Sequence, residues 1–234
     1  MSMHPAAARA YWKALLDNST SLIRDAHLLL DNESYGRARS LTVLAEEELG
    51  KALSVYETFE NTWTLGNNET HDLLRRGARD HLAKYRVAFE FGRELEAFWG
   101  SYPDVEYPKE GGWETWSAER STEAQTAASQ ANQSKQRGFY VDLVDGKVLA
   151  PTDMNRDDVS ADLGRAAQVI EMMLIKDHSR MKDAPIATYD GTHDLQWRVM
   201  PTSHPEEFAD FVERIRANRS IGRRSVDPPN PHRT

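Results

Sequence analysis

Apolar residues recur at intervals of three and four along most of the chain, which is the spacing of amphipathic α-helices. A first helix is predicted over residues 6–31, with Pro5 in its first turn. A second follows Ser34 as N-cap and ends before the turn at Gly66, and a third begins after Thr70. The third helix is predicted to reach about residue 99, and further helices are expected over residues 116–134 and 156–180 and after Pro205.

The period changes from helical to alternating at residues 139–149. Phe139, Val141 and Leu143 alternate with their neighbours, and Asp145-Gly146 separates them from a second short apolar run. Asp-Gly between apolar flanks is a strong signal for a β-hairpin. Because a two-stranded hairpin is marginally stable alone, we expect this one to pack on the helices.

These elements predict an all-α fold, a helical bundle with a small β-hairpin inserted near residues 139–149. No internal repeat or long linker divides it, so residues 1–218 are expected to form a single domain. Residues 219–234 are rich in arginine and proline and are expected to be a disordered, basic tail.

Composition narrows the class of protein. The chain of 234 residues has 39% hydrophobic and 28% charged residues and no cysteine, so disulfides and cysteine-ligated zinc are excluded. No apolar run approaches the roughly 20 residues that span a bilayer, and no signal peptide is visible, so we expect a cytoplasmic protein without a membrane partner. The net charge of −8 argues against general adhesion to nucleic acid, although a local basic site remains compatible with it.

The second helix carries one acidic residue within an otherwise apolar stripe. Glu48 is that residue, whereas Glu47 is expected to form a surface pair with Lys51. A carboxylate on a core-facing stripe needs a cationic or hydrogen-bonding partner. We expect that partner in the basic cluster at residues 75–81. The stripe consists of Ala38, Leu41, Ala45, Glu48, Ala52, Val55 and Phe59.

Arg76 and His81 in this basic cluster are the residue types that metal-free phosphodiester chemistry requires. The histidine exchanges a proton near neutral pH, and the guanidinium holds the phosphate. In RNA the attacking group is the neighbouring 2′-hydroxyl, so no metal or other cofactor is needed. Arg76 and His81 do not share one face of an ideal helix. Either Gly77 loosens the first turn, or Arg76 of one subunit acts with His81 of another in a homodimer.

A purely structural interpretation stays open beside this one. His81 would then be a satisfied histidine at the edge of the core, with Arg75 and Arg76 as partners of Glu48 or Glu69. A second Arg-to-His spacing runs from Arg198 to His204, and Pro201 and Pro205 lie within and just after it, in chain that is expected to be irregular. A di-iron bundle would need Glu-x-x-His, which the sequence lacks.

Three separated motifs, in order, resemble the AbiV family of abortive-infection proteins. The first joins residues 18–25, Tyr35, Ala38 and Leu41 to the run Ala-Glu-Glu-Glu-Leu-Gly-Lys-Ala at 45–52. The second is Arg79-Asp80-His81 with Lys84, and the third covers residues 135–151. The resemblance extends over roughly residues 10–180, and the family is regarded as similar to the HEPN superfamily of helical domains.

The resemblance implies phage defence through RNA cleavage or blocked translation. Many HEPN proteins are metal-independent ribonucleases that pair two copies of an Arg-to-His motif across a dimer. By position, Arg76 and His81 match that catalytic pair, and Glu48 matches the acidic position of the motif helix. Gly77 stands where such nucleases often have a polar residue, so Asp80 is expected to orient the imidazole instead.

The leading hypothesis is therefore a homodimeric antiphage endoribonuclease that acts on RNA. His81 is its acid–base group, Arg76 its phosphate clamp, and Glu48 holds Arg75 or Arg76 in place. A phage-encoded protein is a possible activator or target. The alternative is a non-catalytic helical interaction protein that blocks translation by binding a phage or host component. A third possibility is a helical partner of a neighbouring gene product.

Overall fold

The computed structural model describes residues 2–73, 80–99, 112–184 and 190–223. In these residues the chain is mostly helical, and two short antiparallel strand pairs accompany the helices. The helices are α1 (Pro5–Asp31), α2 (Tyr35–Leu65), α3 (His81–Trp99), α4 (Trp113–Arg137), α5 (Arg156–Asp183), α6 (Thr192–Ser203) and α7 (Pro205–Arg223). The strands are β1 (Ser2–Met3), β2 (His71–Asp72), β3 (Asp142–Val144) and β4 (Lys147–Leu149). The predicted all-α bundle with an inserted hairpin is confirmed.

Helix α2 lies at the centre of the bundle and contacts α1, α3, α4 and α5. It begins after Ser34, as predicted, although the Ser34 side chain makes no capping bond. It ends at Gly66, whose φ of 67° lies in the left-handed region that glycine adopts readily. Because four helices surround α2, its buried residues are distributed around the helix and do not form a single stripe.

The main core lies between α1, α2 and α5. Its largest fully buried side chains include three aromatic residues, whose burial contributes strongly to stability. Those side chains are Trp12, Leu16, Ile23, Leu49, Tyr56, Phe59, Leu163, Ile170, Met173 and Leu174. A smaller cluster joins α2, α3 and α4 through Val43, Tyr85, Ala128 and Ala131.

A buried ion cluster joins α1 to α5. The Arg9 guanidinium donates to both oxygens of Asp177 at 2.8 and 2.6 Å, and Arg180 donates to Asp177 at 2.9 Å. Asp177 is fully buried, and Arg9 also reaches Asp190 at 2.8 Å. The two guanidiniums satisfy the charge of Asp177, which would otherwise be costly to bury.

The β3–β4 hairpin forms where it was predicted but packs differently. Asp145 and Gly146 form its turn with φ values of 50° and 75°. The prediction that the hairpin packs on the helices is wrong for its apolar side chains, since Leu143 is 72% exposed and Tyr140, Val141 and Val148 are also exposed. Apolar residues occupy both faces of this narrow ribbon, and the bundle approaches the segment closely at its base, where Gly138 lies against Gly36.

The structure differs from the predicted elements in three further places. Residues 70–73 are not helical, because β2 pairs there with β1, and α3 begins at His81. The segment after Gly191, expected to be irregular, forms α6 with Pro201 inside it. Helix α7 continues to Arg223, and the remainder of the predicted tail lies outside the described residues. No described helix combines the length and apolar character that crossing a membrane requires.

Candidate functional site

The candidate site lies against a second buried face of α2. This face consists of Gly36, Ser40, Val43, Glu47 and Gly50, which are spaced alternately by four and three residues. Small residues at three of these positions allow neighbouring chain segments to approach closely. A Cβ on Gly50 would overlap the carbonyl oxygen of Lys84 in α3, and a Cβ on Gly36 would overlap Pro151.

Glu47 is the buried acid of this face and has two basic partners. Its side chain is 5% exposed. One carboxylate oxygen, Oε2, lies 2.5 Å from Nδ1 of His81 at the start of α3. The other, Oε1, accepts a hydrogen bond of 2.5 Å from Nζ of Lys135 near the end of α4. The pairing satisfies a carboxylate that would be expensive to bury alone.

Backbone contacts hold both basic partners in position. The carboxylate of Asp80 caps α3 by accepting from the backbone N–H groups of Leu82 at 3.0 Å and Ala83 at 3.2 Å. On the other side, the hydroxyl of Ser40 donates to the carbonyl of Lys135 at 2.8 Å, which attaches the end of α4 to α2. The site thus joins three consecutive helices through residues that are 34 and 88 positions from Glu47.

His81 keeps much of its imidazole accessible. Its side chain is 58% exposed. Nδ1 of the ring contacts Glu47. The other ring nitrogen, Nε2, makes no hydrogen bond to any residue that the structure describes. A neutral imidazole that donates through Nδ1 has its lone pair on Nε2. In that form, the ring presents a proton acceptor to solvent.

The structure corrects the assignment of the acidic residues on α2. Glu47, expected at the surface, is the buried carboxylate, whereas Glu48 is 20% exposed and pairs with Lys51. The apolar stripe predicted only one of the buried faces of α2, because the second face contains glycine and serine, which the search for apolar residues did not count as buried positions. The carboxylate that contacts the imidazole is that of Glu47, since Asp80 is engaged in capping.

Arg75 and Arg76 lie outside the described residues, which resume at Asp80 after Leu73. Their pairing with His81 or with an acidic residue stays a prediction. Glu47 and Lys135 were missed in the sequence because 88 positions separate them. The sequence feature that could have identified Glu47 is its helical spacing with Ser40, Val43 and Gly50, which together form the second buried face of α2.

The second Arg-to-His spacing does not form one site. Arg198 binds Asp17 on α1 at 2.6 Å, whereas Nδ1 of His204 lies 2.8 Å from Oε2 of Glu171 on α5. The hydroxyl of Ser203 donates to the same Glu171 oxygen at 2.5 Å. Arg198 and His204 thus attach α6 to two different helices. In the described ranges, no three His, Asp or Glu side chains are grouped so that they could hold a metal ion.

Glu46, next to Glu47, faces away from His81 into a cleft. Its side chain is 16% exposed, and Nη1 of Arg39 lies 3.9 Å from Oε2. Burial raises the pKa of Glu46 from 4.5 to about 7, while the charge of Arg39 opposes the rise and that of Asp162 adds to it. Two adjacent glutamates therefore have contrasting environments, one with two close basic partners and the other without a hydrogen bond to Oε2 from the described residues.

Glu47→Gln is expected to destabilise the fold by about 2 kcal/mol. Glutamine has one acceptor oxygen, so it cannot receive both His81 and Lys135, and its amide group would confront one of these donors. Urea unfolding at pH 7 measures the loss. Glu48→Gln is the matched control, since its partly exposed pair with Lys51 lies within one helix and contributes about 0.5 kcal/mol or less. Equal losses in the two variants would contradict this assignment of the buried acid.

Glu46→Gln is expected to stabilise the protein by roughly 2 kcal/mol at pH 8 and to have little effect near pH 5. Since the pKa of Glu46 is about 7 in the folded state and 4.5 for an unperturbed glutamate, the folded state binds more protons between these values. The contribution of Glu46 to the free energy of unfolding of the wild type therefore falls as pH rises from about 4.5 to 7. The glutamine variant does not show this decrease.

Unfolding in urea at several pH values checks the Glu46 result. Glu57→Gln, at an exposed position of the same helix, should follow the wild-type pH profile. A Glu46→Gln protein that is less stable than wild type at pH 8 would show that the ionised carboxylate is stabilising.

Comparison with known proteins gives a family match. No curated protein and no solved structure matches the chain significantly. A family model, HEPN_AbiV, described as AbiV, matches residues 7–171, which is well over half of the chain. This range includes Glu47, His81 and Lys135. The resemblance inferred from the sequence motifs is confirmed, and the chain belongs to the AbiV family.

Proposed function

We propose that this protein is a metal-independent endoribonuclease whose acid–base group is His81. Membership of the AbiV family indicates abortive infection, a form of antiphage defence, as the class of function. The observation that carries the finer proposal is the environment of His81, with Nδ1 on a buried carboxylate and more than half of the side chain exposed. This combination suits a side chain that exchanges protons with a bound molecule.

In the proposed reaction, Nε2 of His81 takes the proton from a ribose 2′-hydroxyl. The 2′-oxygen attacks the adjacent phosphorus, a P–O2′ bond forms, and the P–O5′ bond breaks. The products are a 2′,3′-cyclic phosphate and a 5′-hydroxyl. The leaving 5′-oxygen takes a proton from water or from the imidazole of a second copy of the chain. Glu47 orients the ring and sets its tautomer by accepting from Nδ1.

The phosphate requires a cation that is not already engaged. Lys135 is committed to Glu47, so it acts as a positioning residue in this proposal. Arg76 and Arg75, five and six positions before His81, would hold the phosphate through their guanidiniums. A homodimer would bring two such sets to one RNA backbone. A phage-encoded protein stays a possible activator or target.

Cleavage of a synthetic RNA by the purified full chain tests the proposal. We expect cleavage in the presence of a chelator, with a 2′,3′-cyclic phosphate on the upstream product. A matched substrate with a single 2′-deoxy nucleotide at the cleaved position should resist cleavage there, because its nucleophile is missing. Cleavage of the deoxy position, or no cleavage of any RNA offered under conditions in which the protein arrests cells, would contradict the proposal.

The exposed hairpin favours a second candidate, a non-catalytic protein that blocks translation by binding a phage or host component. Leu143, Val144 and Val148 are exposed apolar residues on this hairpin, and such residues often mark contact surfaces when they are grouped. Phage-infection assays separate the two candidates. Full protection by a His81→Ala protein would favour the binder, whereas loss of protection with unchanged expression would favour the nuclease.

A further inference from the structure

Residues 139–148, which lead into and form the β3–β4 hairpin, concentrate the exposed apolar side chains of the protein. Half of the large hydrophobic side chains that are exposed in the described residues lie in this short segment, and the others are distributed over five helices. Single exposed apolar residues are ordinary on a protein surface, whereas a group of this kind marks a contact surface. This hairpin patch consists of Phe139, Tyr140, Val141, Leu143, Val144 and Val148.

One face of the hairpin is apolar at its centre. Leu143 and Val148 are directly opposite each other in the strand register, so their exposed side chains lie on the same face. Val141 is also exposed and stands two positions before Leu143, which is the spacing of one face. The charges of the two strands, Asp142 and Lys147, fall on the opposite face. A partner on the apolar face would therefore desolvate no charged side chain of the strands.

Both ends of the hairpin are fixed to one residue of α2. Gly138 before the patch and Pro151 after β4 each lie so close to Gly36 that a Cβ on either glycine would overlap main chain. Next to this contact, the Ser40 hydroxyl donates to the carbonyl of Lys135 at 2.8 Å. An element that is already ordered loses little conformational freedom when it binds. The hairpin is therefore preorganised for docking.

The exposed area of the patch matches one side of a dimer interface. The six side chains together expose about 600 Å², at the upper end for an apolar patch on a monomer. A standard interface buries about 800 Å² on each partner, and about two thirds of a homodimer interface is apolar. The patch thus supplies roughly the apolar area that each subunit of a homodimer needs.

Charge favours a second copy of the chain as the occupant. The protein has a net charge of −8, so two copies repel each other over much of their surface. Residues 139–149 carry two acids, Asp142 and Asp145, and one base, Lys147, so two copies meet there at little electrostatic cost. A strongly charged partner would find no complementary charge on this segment. The same patch on a second copy offers the matching apolar surface.

We propose that the hairpin patch binds the same patch of a second copy about a two-fold axis. Leu143 and Val148 lie at the centre of this contact. The dimer forms whether or not His81 cleaves RNA. It would nevertheless hold two His81 sites at a fixed separation, because Lys135, the partner of Glu47, lies three residues before Gly138 at the base of the hairpin.

Sedimentation velocity of the full chain without RNA tests the inference. We expect a dimer at concentrations of about 10 µM and above. Leu143→Arg should weaken dimerisation at least tenfold, because two guanidiniums would meet near the two-fold axis. Leu65→Arg is the matched control and should dimerise as wild type, since Leu65 lies outside the patch and is 70% exposed, against 72% for Leu143. Mixing Leu143→Arg with Leu143→Asp should restore a dimer, because opposite charges then meet.

Three results would overturn the proposal. They are a wild-type protein that stays monomeric up to about 100 µM, undiminished dimerisation of Leu143→Arg, and no association between the mixed arginine and aspartate variants. Circular dichroism of each variant confirms that a loss of the dimer does not reflect unfolding. Binding of another protein to the hairpin of a monomeric chain would also contradict the two-fold contact. A dimer that cleaves no RNA would contradict the nuclease and leave the hairpin contact intact.

Discussion

Replacing His81 by alanine is expected to lower the rate of RNA cleavage by roughly 10²- to 10⁴-fold, the contribution typical of a general acid–base group. The substitution removes Nε2, the atom proposed to take the 2′-hydroxyl proton, while Glu47 keeps its hydrogen bond from Lys135. The fold should therefore persist, because the lost side chain is more than half exposed. Single-turnover cleavage of a labelled RNA in the presence of a chelator measures the rate.

His204 supplies the matched control for this experiment. Its Nδ1 also lies on a buried glutamate, Glu171, at 2.8 Å, and it follows an arginine in the sequence. Arg198 itself binds Asp17 on α1 and not the neighbourhood of His204. His204→Ala should cleave RNA at the wild-type rate. Equal losses in the two alanine variants would indicate a general structural effect, and an unchanged rate in His81→Ala would remove His81 from the reaction.

Gly50→Ala is expected to destabilise the protein by about 3 kcal/mol, at the upper end for overpacking of a core. The added methyl group would meet the backbone carbonyl of Lys84, and a backbone atom cannot move aside by changing rotamer. The first turn of α3 would have to move away from α2, which would also separate His81 from Glu47. Urea or thermal unfolding measures the change in stability.

Gly164→Ala, in the middle of α5, is the control for the glycine substitution. The nearest atom to its added Cβ is the Thr202 carbonyl oxygen at 4.0 Å, an ordinary contact distance. Alanine is the better helix former, so this variant should be as stable as wild type or more stable by roughly 0.5–1 kcal/mol. A Gly50→Ala protein with wild-type stability would show that the two helices separate without cost.

The sequence predicted the long helices well because their apolar periodicity is strong. The spans of α1 and α2 agree closely with expectation, since Pro5 and Gly66 mark helix ends by clear backbone chemistry. Helix α6 was missed because only two of its buried positions, Leu195 and Val199, are apolar and a proline lies inside it. The exposure of the β3–β4 hairpin depends on where the helical bundle ends. That position is a tertiary property, which the local sequence pattern does not predict.

The candidate site was predictable in part. His81 was identified from its chemistry and from the family motif, and the structure adds its buried partner. Glu47 was assigned to the surface because the periodicity of α2 was followed along one stripe, whereas the helix is buried on more than one side. Lys135 enters through the packing of α4 against Ser40, a tertiary contact that no local pattern encodes.

The close crossing at Gly50 also bears on how much freedom the imidazole has. Helices usually pack with side chains between them, and such side chains can change rotamer when one helix shifts. Where main chain touches main chain, as at Gly50 and Lys84, that tolerance is lost. The two backbones therefore set the separation between the Glu47 carboxylate and the Cα atom of His81, and they leave little room for the helices to shift.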